Sequence, residues 1–346
     1  MPQPGATIRA RVPLRLGLAG GGTDLSPYCD EFGGAVLNTT IDRYAYAIIE
    51  PSDDGRVHFV APDMDLTESF PAELDALTSG HLPLHAGVAA RMLKAYNGGQ
   101  VPAMRLTSFV DAPPGSGLGS SSALVVALVE AFQAYLAAPL GPYDVAHLAF
   151  EIERIDLGMA GGRQDQYAAT FGGVNFIEFH ANDRVIVNPL RVPVGILNEL
   201  ETSLVTCFSG VTRRSGDIIA EQQRRMVAHT DPAIDSLHEL KSDAMEMKDA
   251  LLRGQIPRMA RLLNKSWEAK KRTAAGISTD TIESLYDRAF AEGAIGGKVS
   301  GAGGGGFMMF IVPPERRIAV IRGLNALGGT ASGVHLTAMG AESWRL

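Results

Sequence analysis

The sequence predicts an α+β protein of two domains, a strand-rich N-terminal domain and a helix-rich C-terminal domain. Its 346 residues, at about 150 residues per domain, are enough for two hydrophobic cores. Short segments with the β-branched and aromatic alternation of strands dominate the first half. Residues 215–292 instead carry the amphipathic periodicity of helices, with breaks at Asp231-Pro232 and Gly254–Pro257. We therefore expect domains over residues 1–190 and 191–346.

The strands of the first half are expected in IRARV, AVLNTTI, YAYAIIE, VHFVA and AMRLTSFV and, after two helices, in GGVNFIEF and RVIVNPL. The first of these helices is expected to begin at residues 120–123 and run through LVVALVEAFQAYL, and the second to begin after Pro142 and end near Gly158. The C-terminal domain is expected to close with strand GFMMFIV, a helix after Pro313-Pro314 and a last strand ASGVHLTA. Strands in both halves exclude an all-helical bundle.

The composition is that of a folded globular protein, and it excludes several classes of function. Hydrophobic residues make up 46% of the chain and charged residues 20%. The 38 acidic residues against 31 Lys and Arg give a net charge of −7, which argues against a nucleic-acid partner. Cys29 and Cys207 are isolated, and the N-terminal segment lacks the pattern of a signal peptide, so we expect a cytoplasmic protein. No apolar run has the length of a membrane span, so we expect no membrane partner.

The strongest local signal is a glycine- and serine-rich segment that leads directly into an apolar helix. Residues 111–132 are DAPPGSGLGSSSALVVALVEAF. Glycines allow the backbone to turn successive N–H groups toward an anion, and the helix N-terminus adds unpaired donors and the positive end of its dipole. A glycine turn with a serine N-cap would explain GSS alone, but not all of PPGSGLGSSSA. We expect a phosphate-binding loop over residues 113–122, with nucleotide contacts from Pro114, Gly115, Ser116, Gly117, Leu118, Gly119, Ser120, Ser121 and Ser122.

Two other nucleotide-binding loops are excluded by the sequence. The segment EGAIGGKVSG at residues 292–301 lacks the first glycine of a GxxxxGK[ST] loop, and its Lys298 precedes a valine. The segment GLAGGGTD at residues 17–24 has the glycines of a dinucleotide-binding fingerprint. However, Pro27 and two further glycines lead from it into a strand instead of the required helix.

Three motifs, in this order along the chain, resemble those of the GHMP kinase family, which includes galactokinase, homoserine kinase, mevalonate kinase and phosphomevalonate kinase. The segment PPGSGLGSSSA looks like the phosphate loop of that family. The segment RVPLRLGLAGGGTD near the N-terminus looks like the opening segment of galactokinases, and KVSGAGGGGFMMF at residues 298–310 looks like the C-terminal glycine motif. The resemblance implies the two-domain fold of the family, with an active site between a β-rich and a helix-rich domain.

The resemblance also implies roles for particular residues. The stretch FEIERIDLGMAGGRQDQYAATFGG at residues 150–173 is similar to a galactokinase stretch and makes Glu153 a Mg²⁺ ligand and Asp165 the general base or positioning carboxylate. Ser121 matches the metal-binding serine, with Ser120 and Ser122 as alternative registers. Arg15 falls at a family Lys or Arg that lies near the catalytic Asp. Phosphoryl transfer needs these groups, since it requires a metal on the phosphates and an acceptor for the hydroxyl proton.

The sugar side departs from galactokinase. Asp24, which follows Thr23, matches the Asp that accepts hydrogen bonds from sugar hydroxyls, whereas Gly21 and Gly22 replace the Glu-His pair of galactokinases. The form GGGTD, with TRRSGDI at residues 212–218, resembles the branch that phosphorylates the anomeric hydroxyl of D-glycero-D-manno-heptose 7-phosphate. Such a substrate needs an anion site. Candidate substrate contacts are therefore Thr23 and Asp24, the arginines Arg213, Arg214 and Arg163, and, on the opposite wall, Lys298, Gly301, Gly303 and Gly304.

The resemblance thus predicts an ATP- and Mg²⁺-dependent kinase that forms a heptose 1,7-bisphosphate on the way to a nucleotide-activated heptose for surface polysaccharide. Two alternatives stay open: a 1-kinase for L-fucose or another hexose, and a galactokinase-like sugar sensor that binds ATP and sugar without catalysis. The expected partners are ATP and a sugar phosphate. The sequence leaves a homodimer open.

Overall fold

A computed structural model of the chain describes residues 6–212, 215–227 and 231–346. The strands are β1 Ile8–Ala19, β2 Gly34–Pro51, β3 Arg56–Ala61, β4 Leu66–Pro71, β5 Met104–Val110, β6 Val174–Phe179, β7 Val185–Pro189, β8 Leu204–Phe208, β9 Gly296–Val299, β10 Phe307–Ile311, β11 Thr330–Gly333 and β12 Glu342–Arg345. The helices are α1 Tyr28–Phe32, α2 Leu74–Leu77, α3 Pro83–Tyr96, α4 Ser120–Leu136, α5 Pro142–Phe150, α6 Gln164–Phe171, α7 Val194–Ser203, α8 Ser215–Val227, α9 Asp231–Leu252, α10 Ile256–Thr273, α11 Asp280–Ala291 and α12 Arg317–Ala326. No helix within these ranges is long and apolar enough to span a membrane.

The strands form two sheets. The first has eight strands in the order β12-β1-β2-β5-β3-β4, with β6 paired to β2 and β7 to β6, and only the β3–β5 pair is parallel. The second sheet is antiparallel, in the order β11-β8-β10-β9. The long strand β2 joins the two parts of the first sheet, because its first half pairs with β6 and its second half with β5.

The alternation of buried and exposed residues in the strands explains why helices cover the first sheet. Ala10, Val12, Leu14 and Leu16 of β1 are buried, together with the apolar residues of the central helix α4, in one large core. A second core lies between the second sheet and helices α10, α11 and α12, and it contains Trp267. The predicted α+β class, with strands mainly in the first half and helices mainly in the second, is confirmed.

The helical stretch 215–292 is confirmed as α8 to α11. Helix α9 begins at Asp231 and α10 at Ile256, next to the two expected breaks. The expectation of only two helices in the first half is wrong, because α3 and α6 were missed. Proline breaks a helix in its interior, but Pro83 occupies the first turn of α3, where no N–H is needed.

The predicted last strand is also corrected. Only Thr330–Gly333 of that region forms a strand, and the final strand is β12, which pairs with β1 in the first sheet. Leu204 and Phe307 from the C-terminal half belong to the large core of the first sheet. The domain boundary at residue 190 therefore stays a prediction. The C-terminal strand β12 returns to the first sheet, which belongs to the predicted N-terminal domain.

The contact between β9 and α10 is close enough to require glycine. A Cβ atom on Gly296 would lie 2.5 Å from the carbonyl oxygen of Ala260 in α10. Real Cβ atoms do not approach a backbone oxygen so closely, so a larger residue would force the strand and the helix apart.

Gly296→Ala is therefore expected to lower the free energy of unfolding by about 1–3 kcal/mol, because overpacking displaces backbone that cannot move away. Gly195→Ala is the matched control: it lies in α7 with open space around it, so the added methyl should leave the free energy unchanged or raise it slightly. Urea denaturation measures both. Equal stability of Gly296→Ala and wild type would contradict this packing.

Candidate active site

A cavity of about 800 Å³ contains most of the residues singled out in the sequence. It is bounded by β1 and the glycine loop after it, by the loop before α4, and by residues 153–165. Helices α8 and α10 and strand β9 close the other side. At one end the lining is largely apolar, with Met64, Leu82, Leu84, Val110, Ala112 and Pro114. Asp63, whose carboxylate accepts a hydrogen bond from the N–H of Val110, lies at the same end.

The loop before α4 has the conformation expected of an anion-binding loop. Gly115, Gly117 and Gly119 all adopt positive φ angles of 72°, 76° and 73°, which favour glycine. Among the described residues, none accepts a hydrogen bond from the N–H of Gly117, Leu118 or Gly119. Helix α4 then begins at Ser120, so its own N-terminal donors face the same region.

This loop lies directly on the C-terminal glycine motif. A Cβ on Gly117 would be 2.4 Å from the carbonyl oxygen of Ser300, and one on Gly306 would be 2.4 Å from that of Ser116. The N–H of Phe307 donates to the same Ser116 carbonyl at 2.8 Å. The glycines thus allow two backbone segments, distant in sequence, to touch.

Arg15 joins these segments to Asp165. Its Nε donates to Asp165 Oδ1 at 2.7 Å, and its NH1 donates to the carbonyl of Gly117 at 2.6 Å. The arginine is 4% exposed, whereas the Asp165 side chain is 20% exposed, toward the cavity. No described residue donates a hydrogen bond to Oδ2 of Asp165, so this oxygen is available to a ligand.

Glu153 lies in a single π-helical turn, residues Glu151–Asp156, that continues α5. Its fully buried carboxylate accepts hydrogen bonds from Ser121 Oγ at 2.6 Å, Ser122 Oγ at 2.7 Å and Gln166 Nε2 at 2.7 Å. The sequence-based pairing of Glu153 with Ser121 is therefore present in the geometry. Ser122 shares the carboxylate.

Arg154 connects Glu153 to the loop at residues 158–162. Its guanidinium lies 3.2 Å from Glu153 Oε1 and donates to the carbonyl of Gly162 at 3.3 Å. A Cβ on Gly161 would lie 2.1 Å from the guanidinium carbon, so the loop packs flat on this side chain.

Asp24 forms the opposite side of that loop. Its carboxylate accepts hydrogen bonds from the N–H of Gly22 at 3.1 Å and from the backbone N–H and Nε2 of Gln164 at 3.2 and 2.9 Å. A Cβ on Gly162 would lie 1.9 Å from Asp24 Oδ2. Asp24 is 2% exposed and lines the cavity. Neutral donors therefore hold a charged acceptor in place at the cavity wall.

Two lysines complete the polar end. Lys270 of α10 donates to the carbonyl of Gly21 at 3.1 Å, and Lys298 of β9 donates to that of Gly17 at 2.8 Å. Burial lowers the pKa of Lys270 to about 8, with Asp24 opposing the shift and Arg15 adding to it. Burial lowers the pKa of Lys298 to about 7, with further lowering by Lys270 and Arg15.

Many predicted residues face the cavity, namely Arg15, Asp24, Pro114, Gly115, Gly117, Gly119, Ser120, Ser121, Ser122, Glu153, Asp165, Lys298 and Gly301. Others do not line it. Ser116 and Leu118 are buried beneath the loop, and Gly303 and Gly304 pack against Ile277. Arg213 and Arg214 lie outside the described residues.

Two expected substrate contacts need correction. Arg163 does not line the cavity. It forms ion pairs with Asp183 at 2.8 Å and Asp30 at 3.3 Å, so two carboxylates already balance its charge. Thr23 is fully buried, and its hydroxyl contacts the backbone of Gly20 and Ala35 at 2.8 and 3.0 Å. Thr23 therefore holds the loop that presents Asp24, instead of facing a ligand.

Gln164, Arg154 and Lys270 are among the cavity residues that were not expected from the sequence. Gln164 had a signal, since it immediately precedes Asp165 in a segment already singled out. Arg154 follows Glu153 but resembles an ordinary surface arginine of a helix. Lys270 had no local signal: it belongs to a basic run at the end of α10, where cations are common next to the helix dipole.

Comparison with known proteins agrees with this geometry. The GHMP kinases N terminal domain matches residues 82–173, and the GHMP kinases C terminal domain matches residues 247–329. A D-glycero-alpha-D-manno-heptose 7-phosphate kinase of Campylobacter jejuni is 42% identical over 340 residues, which cover 98% of this chain and 99% of that relative. The chain therefore belongs to the GHMP kinase family, and the resemblance inferred from its motifs is confirmed.

A solved structure and a second relative are also similar to this chain. A crystal structure of a D-glycero-D-manno-heptose 1-phosphate kinase from Bacteroides thetaiotaomicron superimposes with a TM-score of 0.83 at 41% identity, covering 98% of this chain and 99% of the other. An L-fucokinase/L-fucose-1-P guanylyltransferase of Bacteroides fragilis is 25% identical over 91% of this chain and 35% of its own length. The predicted two-domain GHMP fold is confirmed.

Arg154→Met is expected to lower the free energy of unfolding by about 3 kcal/mol, because it leaves the buried Glu153 carboxylate without its cationic neighbour. Arg91→Met is the control, since Arg91 pairs with Glu151 and Asp156 in partly exposed positions and should cost less than about 1 kcal/mol. Denaturant unfolding measures both variants. Adding Glu153→Gln to Arg154→Met should recover part of the loss, and no recovery would show that the two residues are not coupled.

Proposed function

We propose that this protein is an ATP-dependent sugar kinase that phosphorylates the anomeric hydroxyl of D-glycero-D-manno-heptose 7-phosphate. One observation carries the proposal: Asp165, held by Arg15, lies in one cavity between an anion-binding loop and the Asp24 wall. A phosphate donor and a polyhydroxylated acceptor can meet there. Kinship with heptose kinases supports the choice of acceptor.

The nucleotide would occupy the side of the cavity formed by the loop at residues 113–122. The free N–H groups of Gly117, Leu118 and Gly119 and the start of α4 would hold its phosphates. The apolar end beyond Pro114, with Met64 and Leu82, suits a purine ring. No local pattern in the sequence indicates this end, since its residues come from three separate segments.

Transfer would take place beside Asp165. Because Arg15 holds Oδ1, Oδ2 is the oxygen that would accept the proton of the sugar hydroxyl as that hydroxyl attacks the terminal phosphate. Arg15 also holds the Gly117 carbonyl, so the same side chain fixes both the base and the donor loop. Asp24 would accept hydrogen bonds from sugar hydroxyls and orient the acceptor.

Glu153 and Ser121 fit a Mg²⁺ ion. Among the described residues no three His, Cys, Asp or Glu side chains converge on a metal site. A Mg²⁺ ion bound together with a nucleotide needs only one or two carboxylates, because phosphate oxygens and waters supply the other ligands. Glu153 faces the cavity next to the Ser121 hydroxyl and the donor loop, which is such a donor set. The ion would neutralise charge on the β- and γ-phosphates.

The acceptor wall favours a sugar larger than galactose. A Cβ on Gly21 would meet only Gln164 Nε2, at 3.9 Å, so this glycine leaves space beside Gln164 that a longer side chain would fill. At Gly22 a Cβ would already lie 3.1 Å from Lys270 Nζ. Kinship with the L-fucokinase keeps an L-fucose 1-kinase as the second candidate. A non-catalytic sensor is disfavoured, because Asp165, Arg15, Glu153 and Ser121 are all present and in contact as pairs.

Initial rates of ADP release test the proposal, with D-glycero-D-manno-heptose 7-phosphate compared with mannose, L-fucose and galactose. We expect the phosphorylated heptose to be preferred strongly, because it is the only one of these four sugars that carries a phosphate group. Asp165→Asn should bind nucleotide and lose at least about 10³-fold in turnover, because it lacks the proton acceptor.

Two results would contradict the proposal in different ways. Turnover of L-fucose alone would keep the mechanism and overturn the substrate, whereas no ADP from any sugar would favour the sensor. Near-normal turnover by Asp165→Asn would remove Asp165 as the base.

A further inference from the structure

The cavity contains two cations that lack an anionic partner within the described residues: Lys270, which is buried, and Lys298, which is partly buried. Lys270 and Lys298 contact only backbone carbonyls of the glycine loop, and no carboxylate lies within 4.0 Å of either ammonium among the residues that the structure describes. The other cations of the cavity wall are paired: Arg15 with Asp165 and Arg154 with Glu153.

An uncompensated buried ammonium is unfavourable for the free protein. Transfer of a charge out of water costs free energy unless an opposite charge or several hydrogen bonds replace the water. Burial lowers the pKa of both lysines accordingly, to about 8 for Lys270 and about 7 for Lys298. An anionic ligand at this position would supply the missing counter-charge and restore the charged form.

The position of Lys270 identifies which part of the cavity such an anion would occupy. A Cβ on Gly22 would lie 3.1 Å from its Nζ, and the acidic residue whose charge acts on it is Asp24, whose oxygens are held by neutral donors. Lys270 therefore lies on the acceptor wall, beside Gly21, Gly22 and Asp24. Lys298, on the adjacent strand β9, contacts Gly17 and Leu18 of the same segment.

The packing of α10 against β9 fixes the positions of the two lysines relative to each other. Helix α10 and strand β9 touch through the backbones of Ala260 and Gly296, so the two elements that carry the lysines cannot shift independently. Both ammonium groups donate to carbonyls of the same loop, Lys270 to Gly21 and Lys298 to Gly17.

We infer that Lys270 and Lys298 bind the phosphate that the acceptor sugar already carries. This inference rests on the proposed function, and it gives the acceptor anion a site within the described residues. Arg163, the arginine considered for this role that lies within the described residues, is paired with Asp30 and Asp183 instead.

Affinities of wild type and Lys270→Met for D-glycero-D-manno-heptose 7-phosphate and for the unphosphorylated heptose test the inference by calorimetry. We expect Lys270→Met to weaken binding of the phosphorylated sugar about 10- to 100-fold relative to the unphosphorylated one, the usual effect of losing a charged hydrogen bond. Lys298→Met should act in the same direction, and Lys270→Arg should recover part of the preference.

Lys271→Met is the matched control. Lys271 is the next residue of α10, but it pairs with Glu268 and Glu283 outside the cavity, so its loss should leave the ratio of the two affinities unchanged.

The outcomes separate the inference from the proposed function. Wild type that releases ADP with the phosphorylated heptose, together with lysine variants of unchanged affinity ratio, would overturn the inference alone. Loss of nucleotide affinity instead of sugar affinity in Lys270→Met would assign the lysines to the donor phosphates and also overturn it. Wild type that neither binds nor phosphorylates the heptose phosphate would overturn both.

Discussion

The rest of the active site depends on one buried side chain, the guanidinium of Arg15. It holds the Asp165 carboxylate, the carbonyl of Gly117 and, at 3.5 Å, the hydroxyl of Ser300. These groups come from α6, the donor loop and the C-terminal glycine motif, and the most distant two, Gly117 and Ser300, are 183 positions apart in sequence. A buried ion pair contributes little net stability, since desolvation offsets much of the attraction. Its consequence is instead geometric, because a planar guanidinium fixes the direction of each acceptor.

Glycines make this convergence sterically feasible. Backbone contacts of Gly117 with Ser300 and of Gly306 with Ser116 bring the donor loop against the second sheet, while Gly162 lies against Asp24. Of the C-terminal motif, only the first part, with Lys298, Val299, Gly301 and Ala302, lines the cavity, and the following glycines pack against other backbone segments. Most glycines of this motif are therefore explained by their positive φ angles and by the close approach of neighbouring backbone, and not by contact with a ligand.

The sequence predicted the parts of the site that local chemistry determines. A glycine- and serine-rich loop before an apolar helix can be recognised from its letters, and Glu153, Asp165, Asp24 and Arg15 followed from motif resemblance. Side chains whose role depends on tertiary packing could not be found in this way. The direction of Arg163 is set by Asp30 and Asp183, and the exposure of Lys270 to the cavity depends on how α10 lies on β9. Helix α3 was missed because Pro83 is a breaker within a helix but favourable in its first turn.

The most direct test of the central role of Arg15 is a double-mutant cycle on kcat/KM for ADP formation, with Arg15→Gln, Asp165→Asn and the double variant. If Arg15 acts by placing Asp165 and the donor loop, the double variant should be no slower than the slower single variant, because the second change removes a group that is already displaced. A double variant whose loss equals the product of the two single losses would show that the residues act independently, and would contradict this account.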